Sequence, residues 1–466
     1  MVMTLRPTYL LLALFWTCGC AMPQLEADSL DRRLAYTPEV RAQYTPDQQW
    51  WRVYADPQLD RLVETVLSRN VDLAKAAVNV NKALYMARRV GADLLPEFSA
   101  SGEGSIRREL DGGSSTSKSF SATGGVSYEV DLWLKLADTA SAKEWEYRAT
   151  EEDKEAARLV LVTSTADLYF ELLYLHSAMD ASRASIAIYK EISKIVRNRH
   201  QFGEVSALEP EQAAQAVLTE EKRLYSLGIR RREVENSLRL LLNYTPGTSL
   251  ELTFSKEIGH VAEPVNLNVP MAVLANRPDL KAAEYRLQGA LKDVSAAYKA
   301  FYPTITLSAA LGASSESMGT LFDVPFTSGA VLINLPFLQW NKIKWNAKVS
   351  KADYDLIKLE FEKKLNTAVN EVTMAYHYYA NAADNLRNAE ERYIRSRKIC
   401  EIYQQQYEHG KRELSDWLDA MNTMWAAWME VLENRYQTLR RNNEVYKSMA
   451  GRYQNVASSP LTSNFP

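Results

Sequence analysis

Apolar and polar side chains alternate almost without interruption over residues 119–132. One face of this segment carries apolar or small residues, namely Phe120, Ala122, Gly124, Val126, Tyr128, Val130 and Leu132. The same period of two recurs over residues 304–313, and this period is the signature of a β-strand. Polar loops join both segments to a second strand-like segment. The sequence therefore predicts one β-hairpin over 97–132 and another over 304–337.

Two other segments are too long to be helices of an ordinary globular domain. Residues 134–202 and 340–409 contain neither Gly nor Pro and are rich in strong helix formers. At about 1.5 Å per residue, each would form a helix roughly 100 Å long. Gly203 and Gly410 follow these segments and suit the left-handed conformation that ends many helices.

Each long helix is followed directly by a return helix. The first return helix is predicted over 211–227, where Gly228 could interrupt it, and the second over 413–450. The chain thus holds two predicted helical hairpins, at 134–244 and 340–450. Their apolar positions are not confined to one stripe, so they need neighbours on both sides. Several hairpins packed around an axis would satisfy them, and a free-standing coiled coil is the alternative.

The two halves of the chain repeat one another at a constant spacing. The pairs include Asp72 and Asp279, Leu84 and Leu291, Pro96 and Pro303, Val162 and Val369, Tyr169 and Tyr376, and Gly203 and Gly410 (279 − 72 = 410 − 203 = 207). This duplication predicts repeat 1 at 57–245, a linker at 246–263, repeat 2 at 264–452 and a C-terminal tail at 453–466. Each repeat would consist of a helix, a β-hairpin and a long helical hairpin. The same order twice indicates a symmetric conduit rather than an enzyme with one special site.

The amino terminus has the pattern of a secretory signal, with a basic residue, an apolar stretch at residues 9–16 and then small residues. Residues 1–19 are therefore predicted to be a signal peptide. Small residues before Cys20 resemble the lipobox of bacterial lipoproteins, in which the Cys becomes the lipidated first residue. Cys20 fits this pattern better than Cys18, and an ordinary cleaved signal is the alternative. Residues 20–56 are expected to be a lipidated, extended segment.

Composition excludes several classes of function. The 466-residue chain is 46% hydrophobic and 24% charged, and its net charge of −3 gives no basic footprint for nucleic acid. After the signal there is no apolar run long enough for a membrane-spanning helix. The five histidines are scattered, and Cys400 falls inside a helical pattern where it is predicted to be packed. We expect no enzyme, no metal and no cofactor apart from the covalent lipid on Cys20.

The predicted strands have the properties of a membrane sheet. Each is about ten residues long, the length that crosses a bilayer at a tilt. Their apolar face is built of small and aromatic residues, as in outer-membrane barrels. Four strands cannot close into a barrel and lipid does not tolerate an open edge, so several copies would be needed. Three chains of four strands would give twelve, and a soluble β-sandwich is the alternative.

Five motifs follow one another along the chain. They are Asp56-Pro57-Gln58-Leu59, Gly91-Ala92-Asp93-Leu94-Leu95-Pro96, Tyr128-Glu129-Val130-Asp131-Leu132-Trp133, Asn276-Arg277-Pro278-Asp279-Leu280 and Ile333-Asn334-Leu335-Pro336-Phe337. Together with the lipobox and the duplication, they resemble the outer membrane efflux protein family, the TolC-like channel subunits. The resemblance extends from about Trp50 to Tyr453.

This resemblance implies a mainly α-helical homotrimer with a membrane β part. Its twelve-stranded β-barrel, with four strands from each chain, would continue into a long α-helical barrel across the periplasm. The trimer would be a passive export duct of the outer membrane, engaged by a periplasmic adaptor protein and an inner-membrane pump. The lipobox is similar to that of the lipoprotein branch, which partners resistance-nodulation-division pumps. A type I protein-secretion channel and a coiled-coil lipoprotein without a pore are the alternatives.

The resemblance also implies a periplasmic gate at the ends of the helical hairpins. Tyr407 and Arg412 match the tyrosine and the arginine of the family's constriction, and Asp416 and Asp419 match its paired aspartates. Glu209 matches a carboxylate that pairs with the arginine, and it is the repeat partner of Asp416 (416 − 209 = 207). Asp416 and Asp419 are three residues apart and share a helix face. In a trimer they would place six carboxylates around one opening, a cation-selecting ring.

Overall fold

The structure is a computed structural model that describes residues 26–108, 116–254, 258 and 268–455. The predicted signal peptide, Cys18 and Cys20 lie outside the described residues, as do residues 255–257 and 259–263 of the predicted linker and residues 456–466. Among the described residues, no helix is long and apolar enough to cross a membrane.

The described part of the chain contains nine α-helices and six strands. The helices are α1 (Leu30–Arg33), α2 (Pro38–Gln43), α3 (Pro57–Arg69), α4 (Val71–Gly91), α5 (Lys135–Gln201), α6 (Leu208–Leu241), α7 (Pro278–Lys299), α8 (Trp340–Glu408) and α9 (Leu414–Ser448). The strands are β1 (Tyr44–Asp47), β2 (Glu97–Arg108), β3 (Thr116–Val130), β4 (Thr304–Ser315), β5 (Pro325–Asn334) and β6 (Arg452–Asn455). The two predicted long helices are α5 and α8, with 67 and 69 residues.

The chain divides into two compact units. The strand unit comprises Met1–Ser29, Lys82–Arg148 and Glu284–Glu360, and the hairpin unit comprises Leu30–Asn81, Ala149–Ala283 and Phe361–Pro466. All four strands of the predicted hairpins belong to the strand unit. The ends of both helical hairpins belong to the hairpin unit.

The strand unit contains one antiparallel sheet in the order β2-β3-β4-β5. One row of neighbouring residues across the four strands is Phe98, Val126, Ala309 and Gly329, and another across three strands is Tyr128, Leu307 and Val331. Cross-strand neighbours point to the same side of a sheet. The apolar faces of the two hairpins therefore form one continuous apolar face. β2 and β5 are the edges of this sheet, each paired on one side only within the described chain.

Both hairpins are slightly shorter than predicted. β3 ends at Val130 instead of residue 132, and β5 ends at Asn334 instead of residue 337. Proline lacks the N–H that a strand ladder uses, and Pro336 begins a short 3-10 helix. After β3, the Asp131 carboxylate accepts a hydrogen bond from the backbone N–H of Ala137 at 2.7 Å, so it caps the start of α5.

A buried carboxylate joins α5 to α7 within the strand unit. Asp138 accepts hydrogen bonds from Ser295 Oγ at 2.6 Å, from Lys292 Nζ at 3.2 Å and from Lys299. Burial acts to raise the pKa of Asp138, but these hydrogen bonds outweigh it and the pKa lies below its usual value. The carboxylate is therefore ionised at neutral pH and holds the two helices in register.

The return helix α6 begins at Leu208 and runs through Gly228 without a break. The interruption that the sequence allowed at this residue does not occur. A glycine in a helix interior costs about 1 kcal/mol relative to alanine. Ala213, Val234 and Leu238 of the same helix are buried in the hairpin unit, and their packing offsets that cost.

The amino-terminal segment is not extended as predicted, since residues 30–54 contain α1, α2 and a 3-10 helix. Thr37 caps α2 by accepting a hydrogen bond from the N–H of Val40 at 3.4 Å. Trp50 is buried, and its ring lies 5.4 Å from the ring of Tyr446 in α9. Burial of this tryptophan favours compact turns over an extended path.

The predicted C-terminal tail also begins as ordered structure, because β6 pairs antiparallel with β1. Tyr453 is buried, and its hydroxyl donates a hydrogen bond to the carbonyl oxygen of Met449 at 3.0 Å. Repeat 2 and the tail therefore have no sharp boundary at residue 453.

Gly203 and Gly410 end the long helices in a left-handed conformation, with φ of +73° and +70°. The N–H of Gly203 donates to the carbonyl of His200 at 2.9 Å, and the N–H of Gly410 donates to the carbonyl of Tyr407 at 2.9 Å. A Cβ on either glycine would meet no atom within 4 Å. The backbone conformation, rather than a lack of space, therefore calls for glycine at both turns.

We expect Gly203→Ala and Gly410→Ala each to lower the free energy of unfolding by about 1–2 kcal/mol, because alanine is strained at positive φ. Gly228→Ala is the matched control, since this glycine lies in a helix with open space around it. It should raise the free energy of unfolding by about 0.5–1 kcal/mol. Thermal unfolding of the full-length protein, followed by circular dichroism, measures all three. If all three variants change the free energy of unfolding in the same direction, the left-handed conformation is not what calls for glycine at residues 203 and 410.

Candidate functional site

The ends of the two helical hairpins share one hydrophobic core in the hairpin unit. We call residues 189–217 and 400–425 the tip. Its core consists of Tyr189, Ile192, Val196, Ala213, Cys400, Leu414, Leu418, Ala420 and Met421. Cys400 is packed in this core as predicted, and burial raises the pKa of its thiol. Side chains of α5, α6, α8 and α9 thus meet at the place where the predicted gate residues lie.

Tyr407 connects the two hairpins through its hydroxyl group. Arg199 Nη1 in α5 donates to this hydroxyl at 2.9 Å, and the hydroxyl donates to Glu209 Oε2 in α6 at 3.4 Å. The ring of Tyr407 stacks on Trp417 of α9, with 5.4 Å between the centroids. One side chain of α8 therefore contacts the other three long helices of the tip.

Electrostatics keep the two donors of this bridge, the Tyr407 hydroxyl and the Arg199 guanidinium, protonated at physiological pH. Burial raises the pKa of Tyr407, and the nearby Glu209 carboxylate raises it further against the opposing effect of Arg199. The hydroxyl is therefore a neutral donor at physiological pH. Arg199 also donates from Nε to Glu204 Oε2 at 3.1 Å, and this bond raises the pKa of the guanidinium.

Arg412 does not pair with Glu209 within the chain, so this prediction is wrong for the single subunit described. Its Nη1 donates to Asp416 Oδ2 at 3.2 Å, and its Nε donates to Gln406 Oε1 at 3.3 Å. The guanidinium also lies 5.0 Å from the ring centroid of Tyr403. Asp416 follows Arg412 by four residues, so the two side chains are neighbours and little conformational entropy is lost when they pair. Glu209 instead accepts a hydrogen bond from Tyr407.

The two aspartates of the predicted ring occupy different environments. Asp416 is half-buried and pairs with Arg412, with 40% of its side chain exposed. Asp419 is exposed, and its carboxylate makes no hydrogen bond or ion pair with another described residue. Both lie at the start of α9 and share a face, as their spacing requires. Of the two, Asp419 is the carboxylate that the subunit leaves available.

The structure brings Tyr407 to Glu209 and Arg412 to Asp416, and it places Gly203 and Gly410 at the adjacent turns. Arg199 is the residue that sequence reasoning missed. A basic residue in the last turn of a long helix was the available signal, since it suits the helix dipole. Within the described ranges, no cluster of three or more His, Cys, Asp or Glu side chains could hold a metal ion.

A family model described as "Outer membrane efflux protein" matches residues 62–244 and again residues 269–451. The two matches are offset by the spacing found in the sequence (269 − 62 = 451 − 244 = 207). One model therefore fits both halves of the chain, and together the matches cover most of it. Proteins of this family are outer-membrane ducts and not enzymes.

Characterised relatives match along most of their length. "Toxin and drug export protein A" of Aggregatibacter actinomycetemcomitans is 40% identical over 415 residues, which are 89% of this chain and 91% of that protein. The toluene efflux pump outer membrane protein TtgF of Pseudomonas putida is 28% identical over 425 residues, covering 89% of this chain and 87% of that protein.

Solved channels share the fold. The CmeC outer membrane channel of Campylobacter jejuni gives a TM-score of 0.79 at 24% identity, covering 93% of this chain and 95% of that chain. The MtrE outer membrane channel of Neisseria gonorrhoeae, solved in its open state, gives a TM-score of 0.80 at 24% identity, covering 93% and 98%. With the family model matched twice and a relative at 40% identity, the chain belongs to the outer membrane efflux protein family, the outer-membrane channels of tripartite efflux systems.

Proposed function

We propose that three copies of this chain form a passive export duct built from two tandem structural repeats per chain. Their sheets would close into a twelve-stranded β-barrel, and their long helices would continue as an α-helical barrel through the periplasm. The observation that carries this proposal is the four-stranded sheet with one continuous apolar face and two open edges. Large apolar side chains on that face, including Leu307, Leu311, Val331 and Ile333, are exposed in the subunit.

Closure by further copies resolves both features of the sheet at once. The edge strand β5 of one copy would pair with β2 of the next, so no backbone group would face lipid unpaired. The apolar face would then point to the hydrocarbon, and the face with Ser99, Ser121 and Ser308 would line a wet lumen. A non-pore coiled-coil protein would have no use for such a sheet.

A periplasmic adaptor and an inner-membrane pump of the resistance-nodulation-division type would supply the cargo and the energy. Efflux of small apolar or amphiphilic compounds fits the relative named for toluene efflux. Type I protein secretion is the second candidate, because the relative at 40% identity is named for the export of toxin as well as drugs.

Planar-bilayer recording tests the duct directly. The full-length protein should give discrete single-channel steps, because a trimer encloses one continuous lumen. A coiled-coil lipoprotein without a pore would give none, and a silent bilayer at protein densities that yield current for a known porin would refute the duct.

The gate is proposed to rest on Tyr407, since its hydroxyl bridges Arg199 and Glu209 across the two hairpins. Removal of the hydroxyl in Tyr407→Phe keeps the ring on Trp417 but breaks both hydrogen bonds. A hydrogen bond to a charged group contributes about 1.5–3 kcal/mol, less at a wet tip. We expect the open fraction and the mean conductance to rise in Tyr407→Phe.

Tyr403→Phe is the matched control for this variant. Tyr403 lies one turn earlier in α8, where its ring packs beside Arg412 and its hydroxyl has no partner among the described residues. The same chemical change there should leave conductance at the wild-type value. If the two variants conduct alike, the hydroxyl bridge does not hold the gate.

Asp416 and Asp419 are proposed to form the cation-selecting ring of the trimer, with Asp419 as the stronger contributor. The pairing of Asp416 with Arg412 neutralises part of its charge, whereas Asp419 has no such partner among the described residues. Fixed carboxylates around a narrow opening attract cations and reject anions.

Reversal potentials in a KCl gradient measure this ring. Asp419→Asn should lose more cation preference than Asp416→Asn, and the double variant should approach a permeability ratio of about one. Glu408→Gln with Glu413→Gln removes two other exposed charges from the same tip and is the control. If the glutamate control pair loses the cation preference while the double aspartate variant keeps it, the ring lies elsewhere.

Anchoring of the amino terminus by a lipid on Cys20 completes the proposal. Cys20→Ser should abolish incorporation of labelled palmitate while the trimer still assembles, because barrel closure does not depend on acyl chains. Cys18→Ser is the control and should keep full labelling. Labelling that survives in Cys20→Ser but disappears in Cys18→Ser would move the anchor to the other cysteine.

A further inference from the structure

A row of basic side chains begins α8 directly after the last strand of the sheet. β5 ends at Asn334 and α8 starts at Trp340, with only a short 3-10 helix between them. Four lysines then precede the first acidic residue of α8: Lys342, Lys344, Lys348 and Lys351. No aspartate or glutamate occurs between residues 324 and 352. Two strands of this sheet lead into a long helix, β3 into α5 and β5 into α8. The stretch without an acidic residue is longer at the second of these junctions.

Three of these lysines lie on one face of the helix. Trp340, Lys344, Lys348 and Lys351 are spaced by four, four and three residues, so they follow one another along the same side. We call these four residues the lysine row. Lys342 falls on a different side, because two residues along a helix turn the side chain by about 200°.

Lys344 and Lys348 contact aromatic rings and form no ion pair with a carboxylate among the described residues. Lys344 Nζ lies 5.5 Å from the ring centroid of Trp340, and Lys348 Nζ lies 4.6 Å from that of Trp345. Both tryptophans are more than half exposed in the subunit, at 57% and 55%. A cation–π contact at an exposed site contributes about 0.5–1 kcal/mol. It orders the ammonium groups and leaves their N–H donors free for an anion.

The first half of the chain has no such row. Ala137 and Ser141 stand at the positions that correspond to the first two lysines (344 − 137 = 348 − 141 = 207). The lysine that begins α5, Lys135, forms an ion pair with Glu129 Oε1 at 3.0 Å. Unneutralised positive charge at the step from strand to helix is therefore confined to the second half.

We propose that the lysine row binds the phosphate groups of anionic phospholipids in the periplasmic leaflet of the outer membrane. This inference rests on the proposed membrane-spanning duct, since β5 then ends at the periplasmic boundary of the bilayer. Trp340 occupies the position of an interfacial aromatic anchor. Charge complementarity and continuity with the membrane face of the sheet both select an anionic lipid surface as the occupant.

Distances along the helix decide which lysines touch headgroups. Lys344 and Lys348 lie about 6 Å and 12 Å beyond Trp340 along the helix axis. The headgroup region of one leaflet is about 5–8 Å thick, and a lysine side chain reaches further towards it. Lys344 and Lys348 can therefore donate to phosphates. Lys351, about 16 Å away, acts only through the field near the surface, which decays over about 8–10 Å.

A second copy of the chain is the competing occupant of this end of α8. An exposed apolar stripe lies beside the row and consists of Trp345, Val349, Leu356 and Leu359. Protein interfaces are enriched in aromatic residues and depleted in lysine. The apolar stripe therefore fits a neighbouring subunit, and the lysine row fits lipid.

Spin-labelled lipids test the row in the full-length protein reconstituted into phosphatidylethanolamine vesicles. The motionally restricted fraction of spin-labelled phosphatidylglycerol, compared with that of spin-labelled phosphatidylethanolamine, gives a relative association constant. Wild type should prefer phosphatidylglycerol. Neutralising one lysine that contacts a headgroup should lower the relative association constant at that site by about fivefold. Lys344→Gln with Lys348→Gln should remove most of it, and Lys344→Arg with Lys348→Arg should restore it.

Lys194→Gln with Lys398→Gln is the matched control, because both lysines are exposed on the long helices of the hairpin unit. This pair should keep the wild-type preference. An unchanged preference for phosphatidylglycerol in the double glutamine variant overturns the proposal. A loss of preference together with dissociation of the trimer on size exclusion also overturns it, because the lysines would then form a contact between copies. If that variant conducts normally, loss of lipid binding does not count against the proposed duct. If the wild-type protein gives no conductance, the duct itself is refuted.

Discussion

A β-sheet inside a bilayer must satisfy the backbone hydrogen-bonding groups of its edge strands, and the strand unit depends on this constraint. β2 and β5 have 12 and 10 residues, and within the described part of the chain each is paired on one side only. Each unsatisfied group in hydrocarbon costs several kcal/mol. Summed along two edges, the penalty exceeds the about 5–15 kcal/mol that stabilises an ordinary domain. A single inserted subunit would therefore be unstable, and assembly would be part of folding rather than a later step.

The polar contacts of the tip operate at a much smaller energy scale than the edges of the sheet. Beyond the shared hydrophobic core, the hydroxyls of Tyr407 and Tyr189 join the two hairpins, and the Arg412–Asp416 pair is exposed. Exposed ion pairs contribute about 0–1 kcal/mol each. A partner protein that binds the tip could therefore change which contacts form without threatening the closure of the sheet. In the proposed duct, this difference in energy would let one chain combine a permanent membrane anchor with an adjustable opening.

Much of the fold follows from the sequence because its periodic signals are local. Alternation places β3 to within three residues at either end, and the absence of Gly and Pro identifies α5 and α8. The compact turns of residues 30–54 were missed, since burial of Trp50 against α9 is a contact between distant segments. At the tip, spacing identified which residues share a helix but not which acceptor Arg412 would choose. The resemblance pointed to Glu209, but in the structure Arg412 donates to Asp416 and Glu209 accepts from Tyr407.

The contacts between the two halves depend on positions at which the halves differ. In the proposed architecture of two tandem repeats, a residue and its counterpart 207 positions away would occupy similar places, so identical side chains would give like charges or like donors on both sides. At the tip, Arg199 corresponds to Gln406 and His200 to Tyr407 (406 − 199 = 407 − 200 = 207). This divergence gives the first half a cation and the second half a hydroxyl, and these two groups form the bridge. At the step from strand to helix, divergence has the opposite effect. Lys135 has its carboxylate inside the chain, whereas the lysines of the row have none among the described residues. Differences between the two halves thus underlie both the bond proposed to hold the gate and the surface proposed to meet the membrane.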